Sequence, residues 1–219
     1  MNAPERICNL PVLIDGAADA AVTLLLAHGA GAGMEHEFIT AVTTGLARQG
    51  VRVVRFEFPY MAARREDGKR RPPDRMPKLL AAYQSLYHHY ADQGPLVMAG
   101  KSMGGRVATL LAQELESGAA PLGVICLGFP FHPPGKPERY RGEHLATTTV
   151  PTLILQGERD PFGTREELRS FALSAQVECC FLTDGEHSFK PRKSSGTTLE
   201  ENLNRAVSHM VDFIGRQLT

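Results

Sequence analysis

The chain has little cysteine, no excess of either charge and no long apolar run, and each shortage excludes a class of protein. Its four cysteines, Cys8, Cys126, Cys179 and Cys180, form neither a CxxC pair nor a zinc spacing. No disulfide framework or metal site is written into that pattern, and free thiols in a reducing, cytoplasmic setting are expected. Lysine plus arginine equals aspartate plus glutamate, 24 against 24. Without a net field, attraction to nucleic acid can only be local. No segment approaches the ~20 apolar residues that cross a bilayer. The first residues, Met1 to Arg6, lack the basic start and apolar stretch of a secretory signal. Internal repeats and low-complexity linkers are missing too.

What remains is an ordinary globular composition, 42% hydrophobic and 22% charged, over 219 residues. That length suits one domain whose core needs no covalent staple. Apolar runs cover Val22–Ala27, Val51–Phe58, Leu96–Gly100, Leu122–Leu127, Thr152–Gln156 and Val177–Leu182, with an extended edge piece near Pro11–Asp15. Between them, helices are predicted over His36–Gln49, Pro77–Asp92, Ser102–Glu116, Arg165–Leu173 and Leu199–Leu218. The last carries an apolar stripe of Leu199, Leu203, Val207, Met210 and Ile214. Strands apolar enough to be covered on both faces, alternating with helices, imply an α/β fold of three layers. Its central sheet is mainly parallel, with helices on both faces. Two stretches read as irregular, the basic Met61–Arg75 and the Pro- and His-rich Phe131–Thr149. Both follow a strand and so belong at the carboxyl edge of the sheet, where such folds bind ligands.

Three loops carry chemistry. Gly100-Lys101-Ser102-Met103-Gly104 joins a strand run to a helix, and its small residues permit a reversal sharp enough to hold a nucleophilic Ser102 clear of the backbone. Lys101 points away from the serine and reads as packing or an ion pair. His28-Gly29-Ala30-Gly31-Ala32-Gly33 follows another strand. There the N–H of Ala30, with that of Met103, can hold a tetrahedral oxyanion, while His28 braces the loop. A dinucleotide loop, with Glu57 as the ribose acid, fails because Met34 stands where the third glycine belongs. Asp160, with Glu158 as the fallback, follows the end of the Thr152–Gln156 strand and its turn is stiffened by Pro161. His187 follows the strand after that, in reach of Ser102 as a general base. The order serine, aspartate, histidine, each just past a strand, unites the three.

With those motifs in place, the sequence resembles the α/β-hydrolase superfamily, specifically its small members related to dienelactone hydrolase. HGAG at His28–Gly31, GKSMGG at Gly100–Gly105, GERDPFG at Gly157–Gly163 and DGEHSF at Asp184–Phe189 carry the match. Arg55–Arg75 and Phe129–Glu138 are similar to a subgroup of largely uncharacterised hydrolases. The resemblance implies catalytic roles for Ser102, Asp160 and His187, and no metal or organic cofactor. Dienelactone hydrolases proper use cysteine as nucleophile, so serine here argues against assuming their substrate. The interval before Pro151 is too short for a large helical lid.

The expected activity is cleavage of a small ester or thioester through an acyl-enzyme. A hydrolase-fold scaffold without turnover, and an acyltransferase using the same residues, are the alternatives. Basic residues crowd Arg64–Arg75, and Arg65 is the candidate grip on an anionic substrate group. Tyr60 and His132, each just past a strand, are candidates for the pocket wall. Nucleic acid is not an expected partner, because no aromatic residues interleave the basic ones.

Overall fold

The computed structural model describes residues 4–115 and 120–219. Glu116, the last residue of one predicted helix, and residues 1–3 lie outside that description. The elements run β1 (Glu5–Ile7), β2 (Leu10–Asp15), β3 (Thr23–Ala27), α1 (Glu37–Arg48), β4 (Arg52–Phe56), α2 (Pro59–Asp67), α3 (Met76–Ala91) and β5 (Leu96–Lys101). They continue with α4 (Met103–Glu114), β6 (Gly123–Leu127), β7 (Thr152–Gly157), α5 (Arg165–Leu168), β8 (Val177–Leu182) and α6 (Leu199–Leu218).

The strands form one sheet in the order β1-β2-β4-β3-β5-β6-β7-β8. β3 through β8 pair in parallel, with β3 between β4 and β5, while β1 and β2 add an antiparallel margin. Alternate side chains leave a strand on opposite faces. Leu25 and Ala27 therefore join one core, with Tyr83 and Leu86 of α3 and Val107 and Leu111 of α4. Leu24 and Leu26 join the other, with Val42 of α1 and Val207 and Met210 of α6. Apolar residues on both faces of the central strands thus require helices on both sides. That is the three-layer arrangement anticipated.

Three local readings need correction. The margin is a hairpin rather than a single piece, turned by Cys8 and Asn9, both at positive φ (51° and 63°). A two-residue turn of that kind matches the twist of the strands it joins. Part of Met61–Arg75 is helical: α2 starts on Pro59 and ends at Gly68, which takes the left-handed conformation (φ 71°). Proline just inside a helix and glycine just past it are a start and stop signal, masked in the sequence by the polar run between them. The predicted Arg165–Leu173 helix makes one α-turn and goes on as i→i+3 turns at Arg169, Ser170 and Phe171. Gly128–Pro151 holds only a short 3₁₀ turn at Glu143–Ala146, so no large lid covers the sheet edge.

All four cysteines are free thiols. Among the described residues, no helix is long and apolar enough to cross a membrane.

The chain leaves β3 in one direction to form β4, then returns across β3 to form β5. A crevice opens where the winding reverses, at the carboxyl ends of β3 and β5. His28–Gly33 and Ser102 are the residues that follow those two ends.

Candidate active site

Ser102 sits between β5 and α4 with φ 51° and ψ −114°, a conformation that costs a non-glycine residue about 1–3 kcal/mol. Its neighbours make that possible. A Cβ on Gly100 would lie 2.1 Å from the Gly104 carbonyl carbon, and one on Gly104 would lie 2.7 Å from the His28 oxygen. Strand, helix and the His28 loop therefore meet backbone to backbone. The Ser102 N–H donates to Leu127 O at 3.0 Å, tying the turn to β6.

His187 Nε2 lies 2.8 Å from Ser102 Oγ, and its Nδ1 lies 2.8 Å from Asp160 Oδ2. Asp160 is fully buried. It also accepts from Phe162 N (2.9 Å) at Oδ1 and from Gln156 Nε2 (3.0 Å) at Oδ2. A carboxylate that only accepts makes Nδ1 of His187 the donor, leaving Nε2 free to accept from the serine hydroxyl. The Phe162 ring packs on the imidazole, with centroids 4.2 Å apart. Glu158 does not reach His187; it accepts from Asp184 N and pairs with Arg165.

Gln156 was not singled out from sequence, although a polar residue closing a buried strand was a visible signal. It is fully buried, bonds both the N–H and the carbonyl of Phe129, and also holds Gly163 O. Gln156 thereby fixes the Asp160 loop to the end of β6. The His187 loop is pinned separately. Asn202 of α6 donates to Thr183 O and Phe189 O, and Asp184 is bonded by Arg159 and Arg192. A Cβ on Gly157 would fall 2.4 Å from the oxygens of Gly185 and Glu186, so the Asp160 and His187 loops also touch through backbone.

The His28 loop is braced from behind. Phe58 N donates to His28 Nε2 (3.1 Å), so the ring carries its proton on Nδ1 and gives it to Gly29 O (2.7 Å). Burial depresses the His28 pKa, in keeping with this neutral form. The Tyr60 hydroxyl donates to Gly29 O (3.2 Å) and Ala30 O (2.9 Å). In a trans peptide the N–H points opposite to the carbonyl. Holding Gly29 O toward His28 and Tyr60 therefore turns the N–H of Ala30 away from them. Met103 is the first residue of α4, whose leading N–H groups have no partner within the helix.

A cleft of about 300 Å³ lies over these groups, lined by Ala30, His36, Phe38, Ile39, Lys101, Ser102, Phe162 and His187 among others. It does not include Tyr60, Arg65 or His132. Tyr60 is buried beneath the His28–Gly33 loop. Arg65 borders a neighbouring depression, where Glu57 and Glu35 both pair with its guanidinium. The same bond occupies Glu57, the acid that a nucleotide site would have needed. His132 is buried, with Nδ1 against Pro133 O and Nε2 3.5 Å from Glu167. Lys101, read as packing or an ion pair, donates instead to the backbone carbonyl of His187 at 2.8 Å.

A reversed-winding parallel sheet with helices on both faces, a strained serine at a strand–helix turn and no lid define an α/β hydrolase. The family model described as "Alpha/beta hydrolase domain" matches residues 20–215, and the chain belongs to that family. Among solved structures, it is similar to XC6422 from Xanthomonas campestris, described as a serine hydrolase without lid. Identity there is 22%, covering 93% of this chain and 88% of that one, with a TM-score of 0.68. TT1662 from Thermus thermophilus matches at 22% identity over 100% and 99% of the two chains, TM-score 0.65. Est1E from Butyrivibrio proteoclasticus, also solved with ferulic acid bound, matches at 17% over 98% and 100%, TM-score 0.69.

Proposed function

We propose that this chain hydrolyses a small carboxylic ester or thioester with an apolar acyl group, through an acyl-enzyme on Ser102. The observation that carries the reading is the unbroken series of hydrogen bonds from Ser102 Oγ through His187 to Asp160, 2.8 Å at each step. The hydroxyl attacks the carbonyl carbon while His187 Nε2 takes its proton. The imidazolium then protonates the departing alcohol or thiol. Water enters, gives its proton to His187, and releases the acid while Ser102 is reprotonated. Asp160 keeps the imidazole in the useful tautomer and balances its transient charge. Gln156 and Phe162 N hold that carboxylate in turn.

The N–H groups of Met103 and Ala30 are the oxyanion donors in this reading. It is supported by the helix start at Met103 and by the orientation that His28 and Tyr60 impose on the Gly29–Ala30 peptide. Phe38, Ile39 and Phe162 on the cleft wall suit an uncharged acyl group. A carboxylate recognised by Arg65 is not part of the proposal, since Glu35 and Glu57 already satisfy that guanidinium.

A fluorophosphonate probe tests the reading directly. Wild-type protein is expected to be labelled at one site, and Ser102→Ala to remain unlabelled. An ester and thioester panel should show turnover that falls by at least about 100-fold in His187→Ala. Wild-type protein that resists the probe would remove the basis for the proposal.

A further inference from the structure

Lys101 precedes the nucleophile and belongs to neither the proton relay nor the oxyanion site. It is 9% exposed. Its ammonium makes no ion pair among the described residues. It donates to His187 O at 2.8 Å and stands 5.5 Å from the centre of the Phe38 ring. No other hydrogen bond among the described residues reaches the main chain of His187. Gly128 leaves room for this contact: at φ 70° it carries no Cβ, and one placed there would come 3.0 Å from both Nζ and His187 O. The surrounding loop is pinned at Asp184 by arginines and at Phe189 by Asn202, but at the base itself the main chain is held from β5.

We propose that Lys101 is a positioning residue: its ammonium anchors the His187 carbonyl and so keeps the imidazole in line with Ser102. The inference rests on the proposed reading of Ser102 as nucleophile. A charged donor on a carbonyl makes a shorter and stronger bond than a neutral amine. Placement matters because a displacement of about 1 Å at a reacting group can cost roughly 100-fold in rate. The bond also joins the serine and its base through one side chain, since Lys101 is the residue next to Ser102.

The anchor is sensitive to pH. Burial pushes Lys101 down to about 8, against the opposing pull of Asp160 from the acid loop and Glu186 from the base loop. From α1, it meets the uncharged ring of Phe38, with His36 on the same cleft wall. Above that pH the amine loses its charge, the hold on His187 weakens and turnover declines. Below it, the anchor is charged and intact.

The test measures fluorophosphonate labelling rate and ester kcat and KM from neutral to alkaline pH, with thermal unfolding in parallel. Wild-type protein, Lys101→Met and Lys101→Arg are compared. Wild type should lose activity on the alkaline side with a midpoint near 8. Lys101→Met should lose about tenfold or more in kcat at neutral pH with KM little changed, and should lack the alkaline decline. Lys101→Arg retains a permanent charge; it should recover part of kcat and show no decline. If Lys101→Met reacts at the wild-type rate with the same alkaline limb, the proposal is overturned. Should that variant fail to fold, a wild-type rate that stays flat through the alkaline range overturns it equally. Wild type that never labels at any pH counts against Ser102 as nucleophile instead, which keeps the two failures apart.

Discussion

Gln156 satisfies four groups at once: the N–H and carbonyl of Phe129, Gly163 O and Asp160 Oδ2. Gln156→Leu keeps the volume roughly but strands the buried Phe129 N–H, at about 1–3 kcal/mol. It also frees the Asp160 carboxylate to turn. A loss of that size in urea denaturation, together with a fall in kcat, is the expected outcome; unchanged kcat would mean that Phe162 N alone suffices to aim Asp160. Tyr60→Phe removes the hydroxyl from Gly29 O and Ala30 O while leaving the ring in place. Its kcat should fall, though by less than the roughly 100-fold of losing an oxyanion donor outright, and KM should hold. At this scale sequence picked out the hydrogen-bonded series of Ser102, His187 and Asp160 better than its supports. Ser102, Asp160 and His187 were legible because each follows a strand end. Tyr60 and His132 also follow strands, yet they turn inward. Where a side chain points after a strand depends on what packs behind it, which no local pattern records.

Among the elements, the β5–α4 turn is the most tightly specified. Gly100→Ala places a methyl carbon 2.1 Å from the Gly104 backbone, so the turn must open. Its destabilisation should exceed the about 1 kcal/mol of an average substitution, with probe labelling lost. Gly31→Ala is the control, since a Cβ there meets nothing within 4 Å; its melting temperature should stay close to wild type. The start of α6 supports a separate expectation about substrate. A depression of about 540 Å³ shares His36, Phe38 and Ser188 with the cleft and continues over Ala41, Leu199 and Leu203. Leu199→Asp should therefore raise KM for esters with long acyl chains and leave acetate esters unaffected, as a chain-length series would show. The sheet strands and α6 were plain from periodicity. α2 was not, because only Tyr60, Met61 and Ala62 of it are buried. Such a short apolar patch leaves no helical period to read.

For the whole molecule, acid stability should decline in two stages. Burial holds His144 down to about 4 from its ordinary 6.5, and burial lowers His28 as well. The unfolded chain binds those protons first, so stability falls as pH drops from 6.5 toward 4. Asp184 is held at about 2, below its ordinary 3.8, by the side chain and N–H of Arg192 and by Arg159. Its contribution is complete above 3.8 and disappears as pH falls toward 2. Denaturant titrations at stepped pH should resolve both stages. His144→Gln should flatten the upper one, and Asp184→Asn the lower. Equal slopes in His144→Gln and wild type would show that this buried imidazole does not govern the upper window.

The sequence by itself determined the layers, the parallel sheet and the rim on which the loops of Ser102, Asp160 and His187 assemble, because burial on both faces and chain order are properties of short segments read in line. Only the tertiary structure decided which side chains meet there. Gln156, Tyr60, Asn202 and Lys101 act across separations of 4 to 86 residues along the chain. Each bond depends on backbone brought within ~3 Å by the packing of strands and helices, a distance that spacing along the chain does not encode.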